Sequence, residues 1–286
     1  MTPRPSSPAV TGARVLAYAG GQITERDDAV AVEEPLELRV WDGEKSIPLA
    51  VTMRTPGHDL DLVRGWLHAE GLLDGDPVSL GQDPDTPNVV TLHAPNPQRL
   101  LASARVGVTT SACGVCGSGS VERLAVRVCP PVWTAGLLSP ALLAGLPGRL
   151  RTAQPAYDAT GGLHAAGLLT PAGELLAAFE DVGRHNAVDK LVGWALGRGL
   201  LPLGDHLLVT SSRAGFEVVQ KAALAGVPVV VTVGAPSSLA VETAAALGLT
   251  LVGFAREGRF NVYAGAERLA WEDTAGGGPG LSSTGS

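Results

Sequence analysis

The sequence predicts an α/β protein in two parts, a smaller α+β region over 13–135 and an α/β region over 136–272. Three observations point there. From 207 onward, short apolar runs alternate with helical patterns as strand, helix, strand, helix, strand, the order that builds a parallel sheet. The run 228–233 is almost wholly apolar, as a strand covered on both faces must be. The run 36–41 instead alternates apolar and polar side chains, the period of a half-buried strand.

The elements follow in order. Residues 1–12 are rich in Pro and Ser and are expected to lack structure, as is the tail 273–286. After the strand at 36–41, Asp42-Gly43 is a turn signal and 47–53 reads as the returning strand. Leu60, Val63 and Leu67 share one helical face, and Gly71 stops that helix. Strands are expected at 89–93 and 121–128, and Pro130-Pro131 closes the first region. In the second region, Thr160-Gly161-Gly162-Leu163-His164 leads into a strand, and 175–179 is another. That strand ends in Glu180-Asp181-Val182-Gly183-Arg184-His185-Asn186, and a helix follows with Val188, Leu191, Val192 and Leu196 inward. Polar groups gathered where a strand ends and a helix begins are the usual makings of an α/β ligand site. Strands at 207–210, 228–233 and 249–254 enclose helices at 216–225 and from Ser237 to Leu247. Just beyond the last strand stands Arg256-Glu257-Gly258-Arg259, two arginines that suit a phosphate or pyrophosphate.

Composition narrows the class. Hydrophobic residues make up 45% of the 286 and charged residues 17%, enough for a well-buried core. The net charge of −7 argues against nonspecific binding to nucleic acid or anionic lipid. There is no apolar run near the length of a membrane span. The first residues lack the apolar core of a signal peptide. A cytoplasmic setting is expected, in which the three cysteines are reactive or buried, not bridged.

Two of those cysteines form the stretch Cys113-Gly114-Val115-Cys116-Gly117-Ser118-Gly119. The glycines leave the backbone mobile and the thiols with little cover. Four readings compete. A four-cysteine zinc site is impossible, because the only other cysteine is Cys129. A redox pair needs its first Cys at a helix start, and Gly117-Ser118-Gly119 makes a poor first turn. A structural disulfide does not fit a reducing compartment. A sulfur carrier, in which one thiolate accepts sulfur as a persulfide, is the fourth. Spacing alone does not decide among them.

Longer motifs carry more. The Cys-Gly-Val-Cys-Gly loop, Glu180 through Lys190, Thr160-Gly161-Gly162-Leu163-His164-Ala165 and Ala235-Pro236-Ser237-Ser238-Leu239-Ala240 resemble the FdhD family of formate dehydrogenase accessory sulfurtransferases. Thr52 through Asp59 and Gly253-Phe254-Ala255-Arg256 are similar too, and the resemblance runs over roughly 30–270. It implies a three-layer α/β/α domain of cytidine deaminase-like type, and a homodimer. It implies a sulfurtransferase that takes persulfide sulfur from a cysteine desulfurase. That sulfur would pass to the molybdenum of bis(molybdopterin guanine dinucleotide), bound as substrate with no permanent metal, on behalf of a formate dehydrogenase. The persulfide maps to Cys113, with Cys116 assisting. Cofactor contact maps to Phe254, Ala255, Arg256, Glu257, Gly258 and Arg259, and the residues themselves add Arg184, His185 and Ser237.

Two other functions are compatible with parts of the chain. One is a non-catalytic chaperone for the cofactor, which would need the arginines and neither cysteine. The other is a zinc deaminase, since His68-Ala69-Glu70 ahead of a C-x-x-C imitates the signature H-x-E…P-C-x-x-C. Ala112 rather than proline precedes Cys113, and His68 falls late in its helix, where the ordinary reading is a solvated side chain. His68 is also a departure from the family pattern, which has a small polar residue there.

Overall fold

The computed structural model describes residues 9–73, 77–102, 128 and 131–271. Cys113, Cys116 and Cys129 lie outside the described residues, as do the tail 273–286 and all of the strand expected over 121–128 except Val128. In chain order the elements are β1 (Val10–Ala19), β2 (Gln22–Ala31), β3 (Glu34–Trp41), β4 (Ser46–Arg54), α1 (Asp59–Glu70), β5 (Ser79–Gln82), β6 (Val89–His93) and α2 (Pro97–Leu101). There follow α3 (Pro140–Arg151), α4 (Pro155–Thr160), β7 (His164–Leu169), β8 (Leu175–Asp181), α5 (Arg184–Leu196), β9 (Leu207–Thr210), α6 (Phe216–Leu224), β10 (Val229–Thr232), α7 (Ser238–Ala246), β11 (Thr250–Arg256) and β12 (Arg259–Ala264). Among the described residues, no helix is long and apolar enough to cross a membrane.

β1 and β2 form a two-stranded ribbon around Gly20-Gly21, both with positive φ, as a tight hairpin turn requires. The stretch 1–12, expected to lack structure, therefore enters a strand at Val10. Val10, Thr11 and Gly12 pair with Ala31, Val30 and Ala29. Leu16, Tyr18 and Ile23 on this ribbon are exposed.

The second sheet has the order β4-β3-β6-β5. Its inner face carries Leu36, Leu38 and Val40, which bury against Leu62, Val63 and Leu67 of α1. Alternation in β3 thus does what the period implied. The helix stops at Gly71, whose φ of 75° only glycine adopts without strain.

The third sheet has the order β12-β11-β10-β9-β7-β8. β9, β10 and β11 run parallel, while β7, β8 and β12 are antiparallel to their neighbours. The parallel core holds as expected, and the antiparallel margins make the sheet mixed. Both faces are covered. Leu207, Val209, Val229, Val231 and Val252 pack with Leu143, Leu146 and Leu150 of α3. Leu208, Val230 and Leu251 pack on the opposite side, with α5, α6 and α7.

The two larger sheets are joined through α1 and α5. A Cβ at Gly65 would collide with the backbone carbonyl of Asp189, and one at Gly193 with that of Asp61. Glycine at both positions lets the two helices approach backbone to backbone, and that crossing sets where the start of α5 lies.

Candidate functional site

The end of β8 sends consecutive side chains to opposite sides, as a strand must. Asp181 is fully buried. Its Oδ2 accepts from Lys190 Nζ at 2.7 Å and from the Thr55 N–H at 3.2 Å. Its Oδ1 accepts from the Gly183 N–H at 2.8 Å and Asn186 Nδ2 at 3.0 Å. Lys190 also donates to the carbonyls of Thr55 (2.9 Å) and Glu180 (3.2 Å), so all three ammonium protons are used. Arg54, 1% exposed, grips Asp59 with two bonds of 2.9 Å and reaches Asn88 at 2.7 Å. The motifs at 52–59 and 180–190 therefore meet, and most of their polar groups tie the second sheet to the third. A buried ion pair holds a structure together only when its remaining donors and acceptors are satisfied, and here they are.

Glu180 turns the other way. Its carboxylate oxygens accept from the backbone N–H groups of Tyr157 (2.7 Å) and Ala156 (2.9 Å), capping the start of α4. α4 is one wall of a cavity of about 630 Å³. Pro147, Leu150 and Arg151 of α3 form a second wall, with Gln154 at its end. His164, Ser211, Val233, Ala255, Arg256 and Glu257 also line it. Ser211, Val233 and Arg256 stand at the carboxyl ends of β9, β10 and β11, where open α/β sheets take their ligands. Arg151 lies over the Tyr157 ring, 4.6 Å from its centroid, and pairs with Asp158. Burial, then the charges of Arg184 and His185, push the His164 imidazole below its usual range.

The segment Phe254–Arg259 is a hairpin tip rather than a loop beyond the sheet. Arg256 pairs with Arg259 across the two-residue turn Glu257-Gly258, with Gly258 at φ 76°. A bulge between Gly253 and Arg256 puts Phe254 at φ 53°, with its N–H on the Gly234 carbonyl at 3.1 Å. Like charges placed opposite each other on a hairpin are destabilising, and among the described residues Arg256 and Arg259 have no carboxylate partner. The exposed Arg213, after β9, has none either. In a chain of net charge −7 this edge is a local concentration of positive charge.

Of the residues read from the sequence, Ala255, Arg256 and Glu257 line the cavity. Ser237 caps α7, its Oγ accepting from the Ala240 N–H at 3.3 Å. Arg184 is half-buried at the start of α5. His185 is buried one residue on, with Nδ1 paired to Glu217 of α6. His58 begins α1 and sets its ring edge-on to Phe179 at 4.8 Å. His68 is not a solvated side chain, because its Nε2 meets the Leu224 carbonyl at 3.1 Å and ties α1 to α6. A carbonyl only accepts, so Nε2 carries a proton there and is no metal ligand. Sequence reasoning missed Arg151 and Tyr157, whose helices begin with Pro140 and Pro155, and Gln154 between those helices. Proline at a first helical position was the available signal, and Pro147 inside α3 spoke against it.

A mixed α/β sheet covered on both faces, with a cavity at the carboxyl ends of its parallel strands that Arg151, Arg256 and Glu257 line, defines an α/β protein with a ligand-sized cavity. Comparison with known proteins gives the family. Residues 31–270 match the FdhD/NarQ family. Sulfur carrier protein FdhD of Streptomyces avermitilis is 47% identical, covering 90% of this chain and 94% of that protein. Its counterpart in Corynebacterium efficiens is 49% identical, over 85% and 91%. A solved structure named for a formate dehydrogenase accessory role, from Desulfotalea psychrophila, superposes with a TM-score of 0.72 at 23% identity, covering 92% of this chain and all of that one. The chain belongs to the FdhD/NarQ family.

Proposed function

We propose that this protein is a cytoplasmic sulfur carrier. It takes sulfur from a cysteine desulfurase as a persulfide on Cys113, assisted by Cys116. It passes that sulfur to molybdenum in bis(molybdopterin guanine dinucleotide), which then serves a formate dehydrogenase. The relatives' name, sulfur carrier protein, supports the first half. The observation that carries the second half is the Arg256–Arg259 hairpin beside the cavity, with no carboxylate partner among the described residues. A guanine dinucleotide brings pyrophosphates to such a cluster, and arginine binds phosphate oxygens with paired, charge-assisted bonds. Arg184 adds positive charge beside His164 on the cavity wall. Helices on both faces of the third sheet suit the cytidine deaminase-like layering implied by the family. The exposed Leu16, Tyr18 and Ile23 of an otherwise marginal two-stranded ribbon suit burial in a homodimer.

The test is intact-protein mass spectrometry after incubation with a cysteine desulfurase and cysteine. A reducible gain of one sulfur is expected, lost in Cys113→Ala. A Cys113→Ala protein that still restores full formate dehydrogenase activity in cells would overturn the carrier role and leave a cofactor chaperone.

A further inference from the structure

Gln154 stands between α3 and α4 and lines the cavity. It holds the position from which a side chain can cap α4, yet it makes no cap bond. The Glu180 carboxylate does that work instead, accepting from the Ala156 and Tyr157 N–H groups. Gln154 is only 2% exposed, and its amide has no hydrogen-bond partner among the described residues. A buried amide without partners costs free energy, so a folded protein keeps one where something else supplies them. The lining is graded from the rim inward. Arg151, Arg256 and Glu257 are exposed, while Leu150, Gln154, Leu163 and Ala255 are buried. Of those four only Gln154 is polar. Charge therefore lies at the rim, and one neutral amide stands among apolar side chains inside.

We infer that Gln154 is the specificity-determining residue of this cavity. Its amide pairs with the edge of a planar heterocycle that carries a ring N–H beside a carbonyl, bound ring-inward with its phosphates at the rim. This rests on the cofactor-binding reading above. The amide sets an acceptor, Oε1, beside a donor, Nε2, and such an edge returns one donor and one acceptor. A phosphate offers acceptors only, so it would leave Oε1 bare, and the arginines at the rim serve it better. The apolar side chains of Leu150 and Leu163 suit the faces of a flat ring. The volume of about 630 Å³ falls within the range of small-molecule sites, about 300–1,000 Å³. Two rings of a pterin guanine dinucleotide carry this edge, the guanine and the pterin, and both are linked to the same pyrophosphate.

The experiment is calorimetric titration of the full chain with three probes: guanosine diphosphate, 6-hydroxymethylpterin pyrophosphate and inorganic pyrophosphate. Gln154→Leu is expected to weaken at least one of the two ring probes about tenfold and to leave inorganic pyrophosphate unchanged. The probe that weakens names the ring held inside. Without ligand, Gln154→Leu is expected to melt no lower than the wild type, because the change removes a buried amide that nothing in the chain satisfies. Gln154→Asn draws the amide back by one methylene and is expected to weaken the same probe, which keeps the test open should the leucine variant fail to fold. Wild-type affinity of these variants for both ring probes would overturn the inference and leave the amide to water, or to the fold itself where melting falls. Equal weakening toward all three probes would overturn it as well, as a general distortion of the site. A wild type that binds none of the three overturns the cofactor-binding reading first, and the role given to Gln154 with it.

Discussion

The two ends of β8 and β11 use charge in opposite ways. Around Asp181 every charge is buried, paired and saturated with hydrogen bonds. At the tip of β11 two arginines face each other in the open with no partner among the described residues. Both stretches belong to motifs by which the chain is recognised, yet the first is the geometry of a joint and the second that of a binding edge. A recurrent polar motif is thus not evidence of a ligand until its partners are counted.

Four measurements break or sharpen this contrast. The largest effect is expected at the joint. Lys190→Met leaves Asp181 buried and unpaired, and chemical denaturation should show a loss of about 3–5 kcal/mol. Next comes the helix crossing, where Gly193→Ala pushes a methyl into the Asp61 carbonyl, with an expected loss of about 1–3 kcal/mol. A third effect depends on pH. Burial pushes Asp189 up to about 6 from 3.8, against the pull of Lys221 at 2.5 Å. The folded state therefore holds a proton that the unfolded state has released. Its contribution to stability falls as pH rises from about 4 to 6. Asp189→Asn should remove that slope, and identical slopes in both proteins would refute the assignment. The smallest effect on stability belongs to the binding edge. Arg256→Ala should change stability by less than about 0.5 kcal/mol. Guanosine diphosphate, measured by calorimetry, should nevertheless bind at least about tenfold more weakly.

Much of this fold was legible. The strands at 89–93 and 207–210, the helix stop at Gly71 and the buried β10 follow from local periodicity and turn chemistry, and the structure places them where the sequence does. The ribbon β1–β2 was not, because most of its side chains are exposed and leave no apolar alternation to read. Within the candidate site, Arg256 and Glu257 were legible because charge stands out after an apolar strand. Glu217 was not, because nothing local distinguishes a carboxylate on a helix from a solvated one, and its partner lies more than thirty residues away. Long-range pairing also explains Arg54 and Lys190, which fall in the motifs at 52–59 and 180–190 without a role legible there and are structural cations in space.

The alternation at Glu180 and Asp181 has a consequence for how this chain can vary. One residue caps the cavity wall and the next anchors the joint, so the strand delivers both only in one register. Inserting or deleting a single residue between Leu175 and Glu180 would exchange the two carboxylates' directions at a stroke. Glu180 would be turned toward Lys190 and Asp181 toward α4, where its shorter side chain falls short of Tyr157. Length in β8 is therefore the constrained quantity: side chains such as the exposed Leu176 are free to change while the spacing is not.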